Sequence, residues 1–222
     1  NETREVLNNF SIINTNLVVS GESFIRSVTT AKNLMAKATI SDSFPYKFGI
    51  YDLSEFLGSL SMFEDPELEF DDNQKFVRII DKGQSLKYNF ADINNLVTSD
   101  KDIIMPECEV SFTLSDKQMN TIRKASATLN ANDLVVMKNG DNLVAIVTDT
   151  KNPSSNEFTL DLGNLSINTS ETFEFVFDIS NFKFIASDEY KFGVSSKLIS
   201  SILIALPFIA SQLSFDILVN LF

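Results

Sequence analysis

Apolar residues in this chain mostly alternate in short runs, and the places where the period lengthens mark its plan. Thr3 to Phe10 puts Val6, Leu7 and Phe10 on one side and predicts a short helix. Strand patterns follow at 17–19 and 23–28, separated by the hairpin signal Ser20-Gly21-Glu22. Residues 34–40 alternate Leu34, Ala36, Ala38 and Ile40 against Met35, Lys37 and Thr39, as a half-buried strand does. Phe48-Gly49-Ile50-Tyr51 reads as another strand. From Asp52 onward the period changes: Leu53, Phe56, Leu57 and Leu60 fall at i, i+3, i+4 and i+7, the stripe of a helix with one buried face. Asp52 and Glu55 have capping-box spacing, which supplies a carboxylate for the helix's first free N–H groups. Beyond the acidic turn Glu64-Asp65-Pro66-Glu67, strands are expected over 68–70, 75–80 and 85–90.

Residues 89–106 have no sustained period and are polar at their centre, so they read as an interdomain connection. The plan then restarts. Residues 108–114 alternate Cys108, Val110, Phe112 and Leu114 against Glu109, Ser111 and Thr113. Ser115-Asp116-Lys117-Gln118 is a capping-box pattern, and Met119, Ile122, Ala125, Ser126 and Leu129 continue it as a helical stripe. Asp133-Leu134-Val135-Val136 echoes Asn16-Leu17-Val18-Val19. The pair Asn139-Gly140 predicts a turn before a strand at 143–147, and strands are expected over 157–162 and 171–177. Phe175 to Phe182 then repeats Gly49 to Phe56, a strand running into a second short helix after Asp178. Two echoes in the same order imply a duplicated domain. The expected organisation is an N-terminal domain over 1–90, a connector over 91–106 and a C-terminal domain over 107–222. Each domain is α+β, with two helices on a mostly antiparallel sheet.

The C-terminal stretch departs from the alternation. Residues 198–222 hold one charged side chain, Asp216. Pro207, Gln212, Asp216 and Asn220 interrupt it as a membrane helix, and strands are expected in its first part.

Composition narrows the chemistry. With 222 residues, 44% hydrophobic content and 20 Phe, the chain can bury the cores of two domains. It has no histidine and one cysteine, Cys108. That excludes an intrachain disulfide, the usual zinc sites, and catalytic arrangements built on His. No secretory leader pattern opens the sequence. The net charge of −12 argues against a nucleic-acid binder that works by overall attraction, but not against one whose basic residues are gathered on one surface. The acidic run Glu64, Asp65, Glu67, Glu69, Asp71 and Asp72 lacks the spacing of a calcium loop and reads as solvated. No catalytic residue, metal site or cofactor is expected.

The run Asn9-Phe10, Ile12 to Asn14, Ser20-Gly21, Phe24-Ile25 and Ala38 to Asp42 resembles a known family. So does Ile50-Tyr51-Asp52-Leu53 with Phe56-Leu57-Gly58 and Leu60-Ser61. The family is the DNA polymerase sliding clamps of large tailed bacteriophages. The resemblance covers the first 90 residues well and the second half more diffusely.

It implies a DNA-clamp fold of two similar domains on curved sheets, and a closed homotrimeric ring lined by helices. The ring would encircle duplex DNA without reading its sequence and tether the phage DNA polymerase, conferring processivity. An ATP-driven clamp loader would open it, and transcription factors would be further partners. The clamp itself would be no enzyme, would meet no membrane, and would work in the cytoplasm of the infected bacterial host.

A ring of this kind needs basic residues on its inner helices. On the Ser115 helix, Lys117 and Lys124 are seven apart and share a face, with Arg123 nearby. Arg4 on the first helix and Lys183 after the second short helix complete the candidate lining. The alternative from another class is a duplicated β-rich protein that self-assembles in a virion.

Overall fold

The helical spacing of Val6, Leu7, Phe10 and Ile13 is realised as α1 (Glu2–Ile13), with all four side chains buried. A computed structural model describes residues 2–21, 24–98, 107–164, 172–182, 187–195, 199–205 and 214–220. The chain folds as two units, Asn1–Asp102 with Phe208–Phe215, and Ile103–Pro207 with Asp216–Phe222.

In the first unit, β1 (Leu17–Val19), β2 (Phe24–Val28), β3 (Leu34–Thr39) and β4 (Phe48–Ile50) form an antiparallel array in the order β4-β1-β2-β3. Next come α2 (Leu53–Ser61), β5 (Glu67–Phe70), β6 (Phe76–Asp81) and β7 (Gln84–Asn89), the three strands forming an antiparallel sheet in that order. Asp52 caps α2 through Oδ1, which accepts from the N–H groups of Ser54 (2.9 Å) and Glu55 (3.1 Å). Helix α2 buries Leu53, Phe56, Leu57 and Leu60 and packs beside α1. A five-ring cluster of Phe44, Tyr46, Phe48, Phe70 and Phe90 joins the two sheets, with Phe48 stacked on Phe90 at 4.5 Å.

Of the connector expected over 91–106, residues 91–98 are held against this unit. Ala91 N–H donates to the Gly49 carbonyl at 2.9 Å, a 3-10 turn spans Ile93–Asn95, and Asn16 Oδ1 accepts from Val97 N–H at 3.2 Å.

In the second unit, β8 (Val110–Ser115) leads directly into α3 (Asp116–Leu129). It is followed by β9 (Asp133–Asn139), β10 (Asn142–Thr148), β11 (Phe158–Asn164) and β12 (Glu174–Asp178) in the antiparallel order β12-β9-β10-β11. Gly140 makes the β9–β10 turn at φ 62°, a conformation that Gly adopts without steric cost. Strand β13 (Glu189–Ser195) lies between β8 and β14 (Ile199–Ala205). The last strand, β15, is Ser214–Asn220. The apolar stretch 198–222 thus contains strands, and no helix among the described residues is long and apolar enough to cross a membrane.

The order β4-β1-β2-β3 matches β12-β9-β10-β11 strand for strand, so the two units share one plan. The sequence echo is off by one at its second site. It aligns Tyr51 with Phe177, yet the partner of Leu17 is Ile50, while the partner of the corresponding Leu134 is Phe177. Tyr51 is 67% exposed and Phe177 1% exposed. The extra residue sits at a bend, where the Tyr51 carbonyl accepts from Asn16 Nδ2 at 2.7 Å.

The second short helix expected after Asp178 is a single 3-10 turn, Ile179–Asn181. Asp178 caps it, but Phe182 N–H donates to Ile179 O and Phe182 leaves helical geometry at φ −79°, ψ 57°. Ile179 and Phe182 alone cannot make the i, i+4, i+7 stripe that buries a longer helix.

Candidate nucleic-acid interface

Helix α3 is positioned by its sequence at both ends. Ser115 Oγ accepts from Gln118 N–H at 3.3 Å, and Gln118 Oε1 accepts from Ser115 N–H at 2.9 Å. Asn130 closes the helix in the left-handed conformation at φ 51°. Met119, Ile122 and Ala125 are buried, so the stripe that holds α3 to its unit fixes which residues face outward. Those outward residues include Lys117 and Lys124, both exposed, two turns apart. Thr121 and Thr128 lie one turn beyond each, with hydroxyls donating back to the carbonyls of Lys117 (2.8 Å) and Lys124 (2.7 Å). The two ammonium groups are therefore the strong outward donors of this face, and their flexible stems suit a diffuse anionic partner better than a shaped site.

Arg123 is placed differently. It is half-buried, and its Nη2 donates to the carbonyl of Phe182 at 3.2 Å, tying α3 to the corner after β12. Arg4 belongs to the other unit. It is half-buried in the first turn of α1, on the wall of a cleft shared with Asp42, Glu64 and Asp65. Lys183 lies outside the described residues. The four described candidates therefore divide: two exposed lysines share a face of α3, one arginine is engaged beside them, and Arg4 stands on a helix of the first unit.

Charge separates the helices. Helix α3 carries Lys117, Arg123 and Lys124 against Asp116, a balance of +2. Helices α1 and α2 together carry Arg4 against Glu2, Glu5 and Glu55, a balance of −2. Positive potential for an anion therefore comes from the second unit's helix.

Two basic constellations on strands went unrecognised in the sequence. Arg26 and Lys37 face each other across β2 and β3, both over the ring of Phe24 at 4.6 and 4.5 Å. Arg78 and Lys87 do the same across β6 and β7 over Phe76, at 5.6 and 4.1 Å. The Phe-x-Arg spacing was the available signal, because residues two apart on a strand share a face. Both sets alternate with the buried Ile25, Ser27, Val77 and Ile79.

The acidic run at 64–72 has structural partners. Asp81 Oδ2 accepts from the N–H groups of Glu64 (3.0 Å) and Asp65 (3.1 Å), and Lys82 pairs with Glu64. Among the described residues no cluster of His, Cys, Asp or Glu is placed to hold a metal ion.

Known proteins resemble the chain along its length. A family model described as DNA polymerase processivity factor matches residues 1–105. The sliding clamp of Vibrio phage KVP40 is 31% identical over 207 residues, spanning 90% of this chain and 91% of that protein. The sliding clamp of Escherichia phage RB69 is 26% identical over 226 residues, 97% of this chain and 93% of that one. In fold, the proliferating cellular nuclear antigen of Entamoeba histolytica superposes with a TM-score of 0.72 at 14% identity, over 99% of this chain and 94% of that structure.

Proposed function

The chain belongs to the sliding-clamp family of DNA polymerase processivity factors, and from that premise we propose that three copies close into a ring around duplex DNA with α3 turned toward the phosphates. It is a sliding clamp, and it acts in phage DNA replication. The relatives favour that role over a virion self-assembly module. The observation that carries the α3 assignment is the pair of exposed lysines two turns apart, opposite the buried stripe of Met119, Ile122 and Ala125.

Encircling DNA needs topology rather than tight binding, so weak phosphate attraction without base readout suffices. Two lysines per subunit give six across three copies, enough to centre a duplex without pinning it. The remaining acidic surface of a chain with net charge −12 repels DNA from the outside. Arg123 stands beside the lysines and adds charge while holding α3 in place; Arg4 and Lys183 are secondary candidates. Phage DNA polymerase is the tethered partner, an ATP-driven loader opens the ring, and transcription factors are further clients. The clamp catalyses nothing and works in the cytoplasm of the infected bacterium.

Light scattering on the purified chain tests the assembly: a mass of three chains is expected, and a monomer or an open polymer would overturn the ring. Primer extension with polymerase and loader under single-turnover trapping tests the role, and products no longer than those made without the protein would reject it.

A further inference from the structure

The sheet β5-β6-β7 has one face toward the core and one turned away from it. Val77, Ile79 and Tyr88 are buried on the inner face, where the Tyr88 ring meets Phe56 of α2 at 5.0 Å. The alternate positions Phe76, Arg78 and Ile80 of β6 and Lys87 of β7 lie on the outer face. Arg78 and Lys87 are directly opposite each other in the register, both exposed. Like charges in that position destabilise a sheet. Among the described residues neither cation forms an ion pair, although Glu69 stands across from Arg78 on β5.

The matching set on β2 and β3 shows what a structural version looks like. Arg26 and Lys37 are also opposite each other beside a Phe ring, but they are half-buried and have further interactions within the fold. Arg78 and Lys87 share only the ring of Phe76, with Lys87 Nζ at 4.1 Å and the Arg78 guanidinium at 5.6 Å. Their like-charge contact therefore goes uncompensated by any carboxylate of the chain, on a protein whose net charge is −12.

We propose that the outer face of β6 and β7 docks an extended acidic segment of a partner protein, with one carboxylate lying between two apolar side chains. The carboxylate would sit between Arg78 and Lys87, the guanidinium giving paired hydrogen bonds and the ammonium a point charge. Phe76 and Ile80, both half-buried and two positions to either side of Arg78, would take the flanking apolar groups. A nucleic-acid strand fits this face less well. The exposed Glu67 and Glu69 border the cations on β5 and would break a continuous track of phosphate contacts. The inference rests on the first unit alone and does not depend on which helix faces DNA.

The test is fluorescence anisotropy of a labelled Leu-Ser-Glu-Ser-Leu peptide, blocked at its far end, titrated with the 222-residue protein. In an extended peptide its two Leu and its Glu share one face, at the spacing of Phe76, Arg78 and Ile80. The peptide should bind, and binding should weaken by about tenfold or more in Arg78→Thr, Lys87→Thr, and likewise when Gln replaces the peptide's Glu. Lys87→Thr alone should not lower Tm, because it relieves the like-charge contact. No binding at millimolar peptide, or equal binding by the double variant, would overturn the site. A lowered Tm with unchanged peptide binding would assign the two cations to the fold instead. Tighter binding of single-stranded oligothymidylate through the same two residues would overturn the acidic peptide as occupant.

Discussion

The Arg123 guanidinium donates to the carbonyl oxygen of Phe182, 59 positions along the chain, at 3.2 Å. That carbonyl belongs to a buried aromatic residue whose ring meets Phe177 and Phe192, so the bond fastens α3 to the corner that ends β12. Arg123 thereby sets the orientation of the face carrying Lys117 and Lys124. Replacing it with Gln should cost about 1–3 kcal/mol, the scale of a lost charge-assisted hydrogen bond. Urea unfolding should read that loss. An unchanged midpoint would mean that the bond contributes nothing in solution.

Lys117 and Lys124 have no such structural duty among the described residues, so reversing them should separate charge from stability. The double variant Lys117→Glu, Lys124→Glu should keep its thermal midpoint and assembled mass while processivity falls. The salt dependence of DNA retention should flatten, by roughly 0.9 in log–log slope for each phosphate that is no longer neutralised. Processivity and salt slope equal to wild type would remove α3 from the DNA-facing surface.

Asp52 is the N-cap of α2, and its side chain holds two backbone N–H groups. Asp52→Ala should destabilise the protein by about 0.5–2 kcal/mol, and Asp52→Asn by much less, because the amide oxygen still accepts. Thermal denaturation of the two variants side by side gives the comparison.

Gly49 is a buried strand glycine whose role is space. A Cβ there would lie 2.7 Å from Leu96 Cδ1 and 2.9 Å from the Ala91 carbonyl oxygen. The leucine tip can move, but the carbonyl belongs to the segment bonded to Gly49 itself. Gly49→Ala should therefore cost about 1–3 kcal/mol. It should also speed hydrogen exchange at Ala91, whose N–H donates to Gly49 O. Wild-type exchange at Ala91 would show that the segment adapts freely.

Tyr88 is buried, its hydroxyl donating to the Asp52 carbonyl at 3.2 Å. Its pKa is pushed up to about 12, first by burial and then by the nearby Glu55 and Asp52 carboxylates. The unfolded chain releases this proton near pH 10, so between about pH 10 and 12 the folded state holds more protons than the unfolded one. Stability should fall as pH rises through that window, and below it Tyr88 should contribute no pH dependence. Tyr88→Phe should lessen the alkaline slope. Tyr46, also shifted upward by burial and by Asp71 and Asp72, should leave a remainder. A slope unchanged by the substitution would mean that Tyr88 ionises equally in both states.

Local periodicity determined most of the elements. The stripes of α1, α2 and α3, the Asp52 and Ser115 caps and the alternating strands depend on residues within a few positions of one another, so the linear sequence carries them in full. The echo of Leu17-Val18-Val19 in Leu134-Val135-Val136 likewise revealed the duplication, because both strands meet the same core-facing demand. What lay beyond reach was anything decided by a partner distant along the chain. Tyr51 looks as buried as Phe177 until strand pairing shifts the register by one and turns it outward. Ile179 and Phe182 suggest a helix until the chain leaves helical geometry after one 3-10 turn. Arg123 resembles Lys124 by charge, and only the approach of the Phe182 carbonyl separates a fastened guanidinium from an outward-facing ammonium. Period and capping are local energies written residue by residue. Register, burial and the pairing of a charge depend on which distant backbone arrives beside it, and the folded chain alone decides that.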